Sequence, residues 1–239
     1  MILLRPAVAM IELIFAIVIM AIILMSAPML ISTAAKSGYV AIQQESINEA
    51  ASRVNMIMSF HWDENSADAT VLDPILQTAS TITDLAETTY SDGNGTGIRR
   101  GTPRESYRSF VRPDGSRVTA TAAGSLGNDG VENDMDDFIG TIGLILSGAG
   151  TGEDYIEKNV TMVTTVSYIS DAPVGNSYNA NMLNFDANFT QTLGSTTSIK
   201  RISTTLTSDA ASPEELDKTI TLHSFSCNIG GYNLEERDF

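Results

Sequence analysis

The chain has 239 residues, 29 acids against 14 bases, a formal charge of −15 and a single cysteine. That balance argues against broad nucleic-acid binding, which needs basic side chains to displace phosphate counterions. One cysteine excludes an intrachain disulfide and a cysteine-based zinc site, and Cys227 is expected as a small buried apolar side chain on a strand.

Residues 13–31 form an uncharged run of 19 positions with one hydroxyl, Ser26. As a helix it would span roughly 28 Å, the thickness of a bilayer's hydrocarbon core. A secretory signal would have a shorter apolar region followed by a small-x-small cleavage site. This run is longer, and a helical pattern continues beyond it. Glu12 stands at its head, between Ile11 and Leu13. A lone carboxylate there is costly in lipid and implies a partner. Arg5 is the base nearest the N-terminal side, which favours a cytoplasmic N-terminus.

The segment Arg5-Pro6-Ala7-Val8-Ala9-Met10-Ile11-Glu12-Leu13 resembles the processing site of type IV prepilins and pseudopilins. These have a short basic leader, a small residue before the cut, four residues, and then a glutamate opening an apolar helix. Aligned on Glu12, the resemblance places the cut between Ala7 and Val8, with a second-ranked alternative between Ala9 and Met10. The family usually has Gly before the cut and Phe or Met after it. The resemblance implies a leader at 1–7, removed by a prepilin peptidase, and N-terminal methylation of Val8. It also implies assembly through Glu12, whose carboxylate would pair with a neighbouring subunit's terminal ammonium so that each relieves the other's burial. The implied partners are other pilin or pseudopilin subunits, the peptidase, an inner-membrane assembly platform and membrane lipid. The head, 61–239, would face the periplasm of a bacterial inner membrane, or the exterior once a filament forms.

Pro28 removes a donor to the carbonyl of Leu24 and predicts a kink or loosened turn. The helix is expected to run from Val8 to about Phe60, with an apolar stripe at Val40, Ile47, Ala51, Val54 and Met58. Residues 61–97 read as a connector with a helical turn around Asp73–Leu85, and Asp92–Gly97 as a loop. A hairpin is expected from Tyr107–Val111 and Arg117–Thr121 around Arg112–Ser116. Further strands are expected at Asn159–Ser170, Phe185–Leu193, Ser198–Thr207 and Thr219–Cys227. Together these predict an α+β chain: a long N-terminal transmembrane and amphipathic helix, then an antiparallel β-rich head of pilin-like layout.

Asp129, Glu132, Asp134, Asp136 and Asp137 crowd into ten residues. Like charges at that density repel unless a cation joins them, and hard oxygen ligands suit calcium, although the spacing is not that of an EF-hand. The alternative is a solvated acidic loop, and no cofactor is required. Arg99, Arg100, Arg104, Arg108, Arg112 and Arg117 make a basic stretch, most simply paired with the protein's own carboxylates. Asn94, Asn159 and Asn188 open Asn-x-Ser/Thr triplets, each with an acid two positions earlier: Asp92, Glu157 and Asp186. The extended pattern resembles the acceptor of bacterial N-glycosylation.

His61 and His223 have no catalytic motif around them, and no phosphate loop, nucleophile elbow or metalloprotease helix is present. The expectation is a structural subunit, a minor pilin or pseudopilin of a type IV pilus or type II secretion-like filament, and not an enzyme. The alternative is a membrane-anchored periplasmic binding or adhesion domain that does not polymerise.

Overall fold

The computed structural model describes residues 5–67, 72–89, 96–103, 106–147, 157–185, 191–208 and 219–231. A single α-helix, α1, runs from Arg5 to Ile57. Ala, Met and Leu favour it, its many Ile and Val weaken the preference only slightly, and Gly38 is tolerated inside it. It closes by tightening: Ser59 N donates to Met56 O and Phe60 N to Ile57 O, the i−3 pattern that satisfies last-turn carbonyls. The end therefore falls within a turn of the expected Phe60.

Beyond α1 the chain is β-rich. Two short strands, β1 (Glu87–Thr89) and β2 (Thr96–Arg99), pair antiparallel. The main sheet holds β3 (Gly140–Ser147), β4 (Glu157–Tyr168), β5 (Ile199–Ser208) and β6 (Ile220–Cys227), antiparallel throughout and in chain order. Register is set by alternation. On β4, Val160, Met162, Thr164, Val166 and Tyr168 are buried, and on β5 their opposite numbers Leu206, Thr204, Ile202 and Lys200 are buried with them. A one-residue slip would turn this whole set outward.

The last turns of α1 lie on that inner face. Ala50 packs with Val160, Met162 and Leu206, while Val54 and Ile57 join Trp62, Leu76, Met135, Phe138, Tyr168 and Ile202. The chain is thus an α+β protein, with one long helix whose C-terminal part is seated on an antiparallel sheet.

Several expectations change. The buried stripe of α1 is Ser46, Ala50, Val54 and Ile57, whereas Val40 and Met58 are exposed. Every residue from Met10 to Ala34 is also exposed, so burial against the head is confined to the end of α1. The helical turn around Asp73–Leu85 reduces to a 3-10 turn at Thr83–Leu85, because Ile75 and Gln77 bond instead to Ser109 and Val118. The hairpin of 107–121 keeps its turn, with Arg112 N bonded to Ser116 O and one bridge between Val111 and Arg117. Its arms otherwise pair elsewhere: Phe110 N donates to Gly97 O, and Ala120 N to Gln77 O. Gly97, at φ +103°, permits that approach, since a Cβ there would run into Val111. Of the expected strand Phe185–Leu193, residues 186–190 lie outside the described ones, and Phe185 and 191–193 carry no strand. Strands β1, β2 and β3 go beyond the expected set, and of the expected loop Asp92–Gly97, residues 92–95 lie outside the described ones while Thr96 and Gly97 open β2. Cys227 is on a strand but exposed, because alternation along β6 puts Thr221, His223, Phe225 and Cys227 on the outer face.

Candidate functional site

Two features stand out, one at each end of the molecule. The first is the free half of α1. Every residue from Met10 to Ala34 is exposed, and large side chains such as Phe15, Ile22, Leu24 and Met25 are between 62 and 83% exposed. This helix is long and apolar enough to cross a membrane. Glu12 is exposed at its head, and Pro28 lies inside a helix that continues on both sides. Near Pro28, Ser26 Oγ donates to Ile23 O and Thr33 Oγ1 to Met29 O, local bonds that hydroxyls make in helices. Ala7 and Val8 belong to the first turn of α1, with side chains outside the described residues.

The second feature is a buried charge cluster beneath the sheet, centred on Lys200. Its Nζ lies 2.8 Å from Trp62 O, 3.0 Å from Asp63 Oδ2 and 2.8 Å from Asp136 Oδ1. Lys200 and Asp63 are fully buried and Asp136 is 3% exposed. The ammonium also faces the rings of Trp62, at 4.7 Å, and Tyr168, at 5.6 Å, a favourable placement for a desolvated cation. Asp63 is held from several sides. Its Oδ1 accepts from Asn65 N, Thr121 N and Thr121 Oγ1, and its Oδ2 from Thr121 N and Tyr168 Oη.

The acidic loop joins this cluster. Of its five acids, Asp129 and Glu132 are exposed, and Asp134, Asp136 and Asp137 turn inward. Asp137 accepts from the backbone of Asn133 and Asp134, and Asp134 from that of Asp136 and Asp137. Asp136 Oδ2 takes the Gly127 amide while its other oxygen meets Lys200. The crowding is thus relieved by backbone amides and a buried lysine. Among the described residues, no group of three acidic, histidine or cysteine side chains is placed to hold a metal ion. Burial, then the charge of Asp136, pushes the Asp134 carboxyl up to about 7, with Lys200 opposing. Burial followed by the nearby acids, Asp63 first, pushes the Tyr168 hydroxyl upward.

Lys200 was not singled out from the sequence, although a signal for it exists. It shares parity with Ile202 and Leu206 on an alternating strand, so it must face inward, and an inward charge needs a partner. The partner lies 137 residues earlier, where no local pattern connects the two.

The basic stretch is used internally. Arg99 donates to Leu85 O, Asn228 O and Ser198 Oγ, and lies over Phe110. Arg117 grips Glu87 with two bonds, Arg100 meets Asp84 at 3.4 Å and Arg112 reaches Asn65 O. Arg104 lies outside the described residues. Asn159 is in β4 opposite Ile145, while Asn94 and Asn188 fall outside the described residues. A cleft of about 560 Å³ opens between the end of α1 and β6, where His61 Nδ1 lies 2.7 Å from Asp73 Oδ2.

No protein-family model, characterised protein or solved structure matches this chain.

Proposed function

We propose that the chain is a pilin-like structural subunit, a minor pilin or pseudopilin of a type IV pilus or type II secretion-like filament. On this reading a prepilin peptidase removes residues 1–7 and Val8 becomes the methylated N-terminus. The apolar half of α1 first rests in the inner membrane and then bundles with the same half of neighbouring subunits. Glu12 pairs with a terminal ammonium and sets axial register. The chemistry is packing and charge neutralisation, and the head is cargo or contact surface.

The observation that supports this reading most is the division of α1. Its last turns are seated on the sheet, yet from Met10 to Ala34 it contacts nothing that buries it, with one acid at the head of the apolar run. A simple anchor explains the apolar length alone. The acid at position 12 adds a feature that an anchor does not need and a bundle does.

The test is co-expression with a prepilin peptidase and the assembly machinery, followed by shearing of filaments. Wild type is expected in the sheared fraction and Glu12→Ala is expected to be strongly depleted from it, with both equally abundant in the membrane. Equal incorporation of the two would refute the assembly role. A chain held in the membrane with no filament fraction would favour the non-polymerising anchored domain.

A further inference from the structure

We propose that Lys200 and Asp63 condense into an intramolecular amide, with Asp136 carrying the proton between them. The geometry brings together the parts such a reaction needs. Lys200 Nζ lies 3.0 Å from Asp63 Oδ2, which puts the carboxyl carbon one bond beyond a contact already formed. Both side chains are wholly shielded from solvent. Held reactants of this kind have lost the translational freedom that makes amide formation slow between separate molecules.

The two acids on Nζ are not equivalent. Asp63 Oδ1 receives Asn65 N at 3.1 Å, Thr121 Oγ1 at 2.9 Å and Thr121 N at 3.3 Å. Attack at the Asp63 carbon places negative charge on that oxygen, so preset donors already surround the position where charge develops. Among the described residues Asp136 receives one amide, Gly127 N at 3.1 Å, on the oxygen that does not meet Lys200. Its other oxygen, 2.8 Å from Nζ, is placed to take a proton from the amine and return it to the departing oxygen. Asp63 is therefore the acyl partner and Asp136 the proton carrier.

The step balances without any other reactant. The ammonium and the Asp63 carboxylate enter with no net charge between them. The Nζ–Cγ bond forms and the Cγ–Oδ2 bond breaks. Two ammonium protons leave with Oδ2 as water, and one stays on the amide nitrogen. In the product Oδ1 retains Asn65 and Thr121, and the single remaining N–H serves one of the two acceptors now at 2.8 Å from Nζ, Trp62 O or Asp136 Oδ1. In bulk water hydrolysis competes with condensation. Here the rings of Trp62 and Tyr168 flank Nζ, and condensation removes the charges of Lys200 and Asp63 from a dry site, leaving the Asp136 carboxylate as the one charge on the former ammonium's contacts.

The bond would fasten Asp63, just beyond α1, to β5 in the centre of the head, so that force on the helix reaches the sheet covalently. This inference does not rest on the filament reading, and each can fail alone.

The experiment is intact mass spectrometry of the full chain, purified in detergent and denatured, with its N-terminus sequenced so that any trimming is counted. The wild type is expected to be lighter than its sequence by one water, about 18 Da, and proteolysis to give a branched peptide joining Asp63 to Lys200. Lys200→Arg should carry its full sequence mass. Asp63→Asn should lose ammonia in place of water, a deficit of about 17 Da from its own sequence mass. A wild type at full sequence mass would show an ion pair only and overturn the proposal, as would a deficit mapped to other residues.

Discussion

The two halves of α1 are built from the same helical backbone and have opposite surroundings. From Ser46 to Ile57 one stripe is buried on the sheet, while polar Gln44, Glu45, Asn48 and Glu49 lie at or near its solvent side. From Leu13 to Ile31 apolar side chains cover every side and the head buries none of them. A helix apolar on one stripe is seated on its own domain; a helix apolar all round has its burial partner outside the chain. The difference marks where burial within the chain stops and where a partner outside it must take over.

Substitutions sharpen that contrast, most strongly at the buried cluster. Whether Lys200 meets Asp63 as an ion pair or as the proposed amide, Lys200→Met leaves Asp63 and Asp136 as buried carboxylates without the lysine and should destabilise the head by at least about 3–5 kcal/mol. Denaturant unfolding of the full chain in mild detergent, followed by the fluorescence of Trp62, measures it. A loss under about 1 kcal/mol would mean that the cluster is wetter than the geometry gives. Next comes a matched pair on the helix. Ile57→Ala opens a cavity in the core and should cost about 2–5 kcal/mol, whereas Ile22→Ala should leave head unfolding unchanged within about 0.5 kcal/mol. Equal effects at the two positions would erase the distinction between the halves.

A smaller effect concerns pH. Asp134 titrates near 7 in the folded chain against an ordinary value of 3.8, because burial and Asp136 disfavour its charged form. The folded state then holds a proton that the unfolded state has released, so this group's contribution is fully present below about pH 3.8 and declines as pH rises towards 7. Asp134→Asn should flatten the stability profile between those values while keeping the acceptor for the Asp136 and Asp137 amides. A wild-type slope identical to that of the variant would contradict the shift. Smallest of all, Arg117→Ala removes an exposed pair with Glu87 and should shift the unfolding midpoint far less than Ile57→Ala in the same assay.

The legible parts of this fold are those whose signal is local. The apolar run, the acid at its head and the Thr/Val/Ile alternation of β4, β5 and β6 are written over a few consecutive residues, and those elements fall where expected to within two residues. The misplaced parts depend on distant partners. Gly140 and Gly143 dilute the β pattern of β3, which is stabilised by its ladder to β4. Apart from one bridge at Val111 and Arg117, the arms of the 107–121 turn pair with residues 75, 77 and 97. Val40 matches the stripe by spacing but lies roughly 9 Å up the helix from Ser46, where the buried face begins. The acidic loop was legible as a crowd of charge, and its solution was not. Backbone amides bond its three inward acids and Lys200 pairs with Asp136, and Lys200 lies 63 residues beyond the loop's last acid.

On the function proposed above, the free half of α1 is buried by other subunits after trimming. The most direct measurement is the N-terminus and assembly state of the protein recovered from cells that contain the peptidase and assembly machinery. The expected result is a chain beginning at Val8 and cross-linkable to neighbours through residues of the apolar half. A chain still carrying Met1 through Ala7, and monomeric in the bilayer, would contradict it.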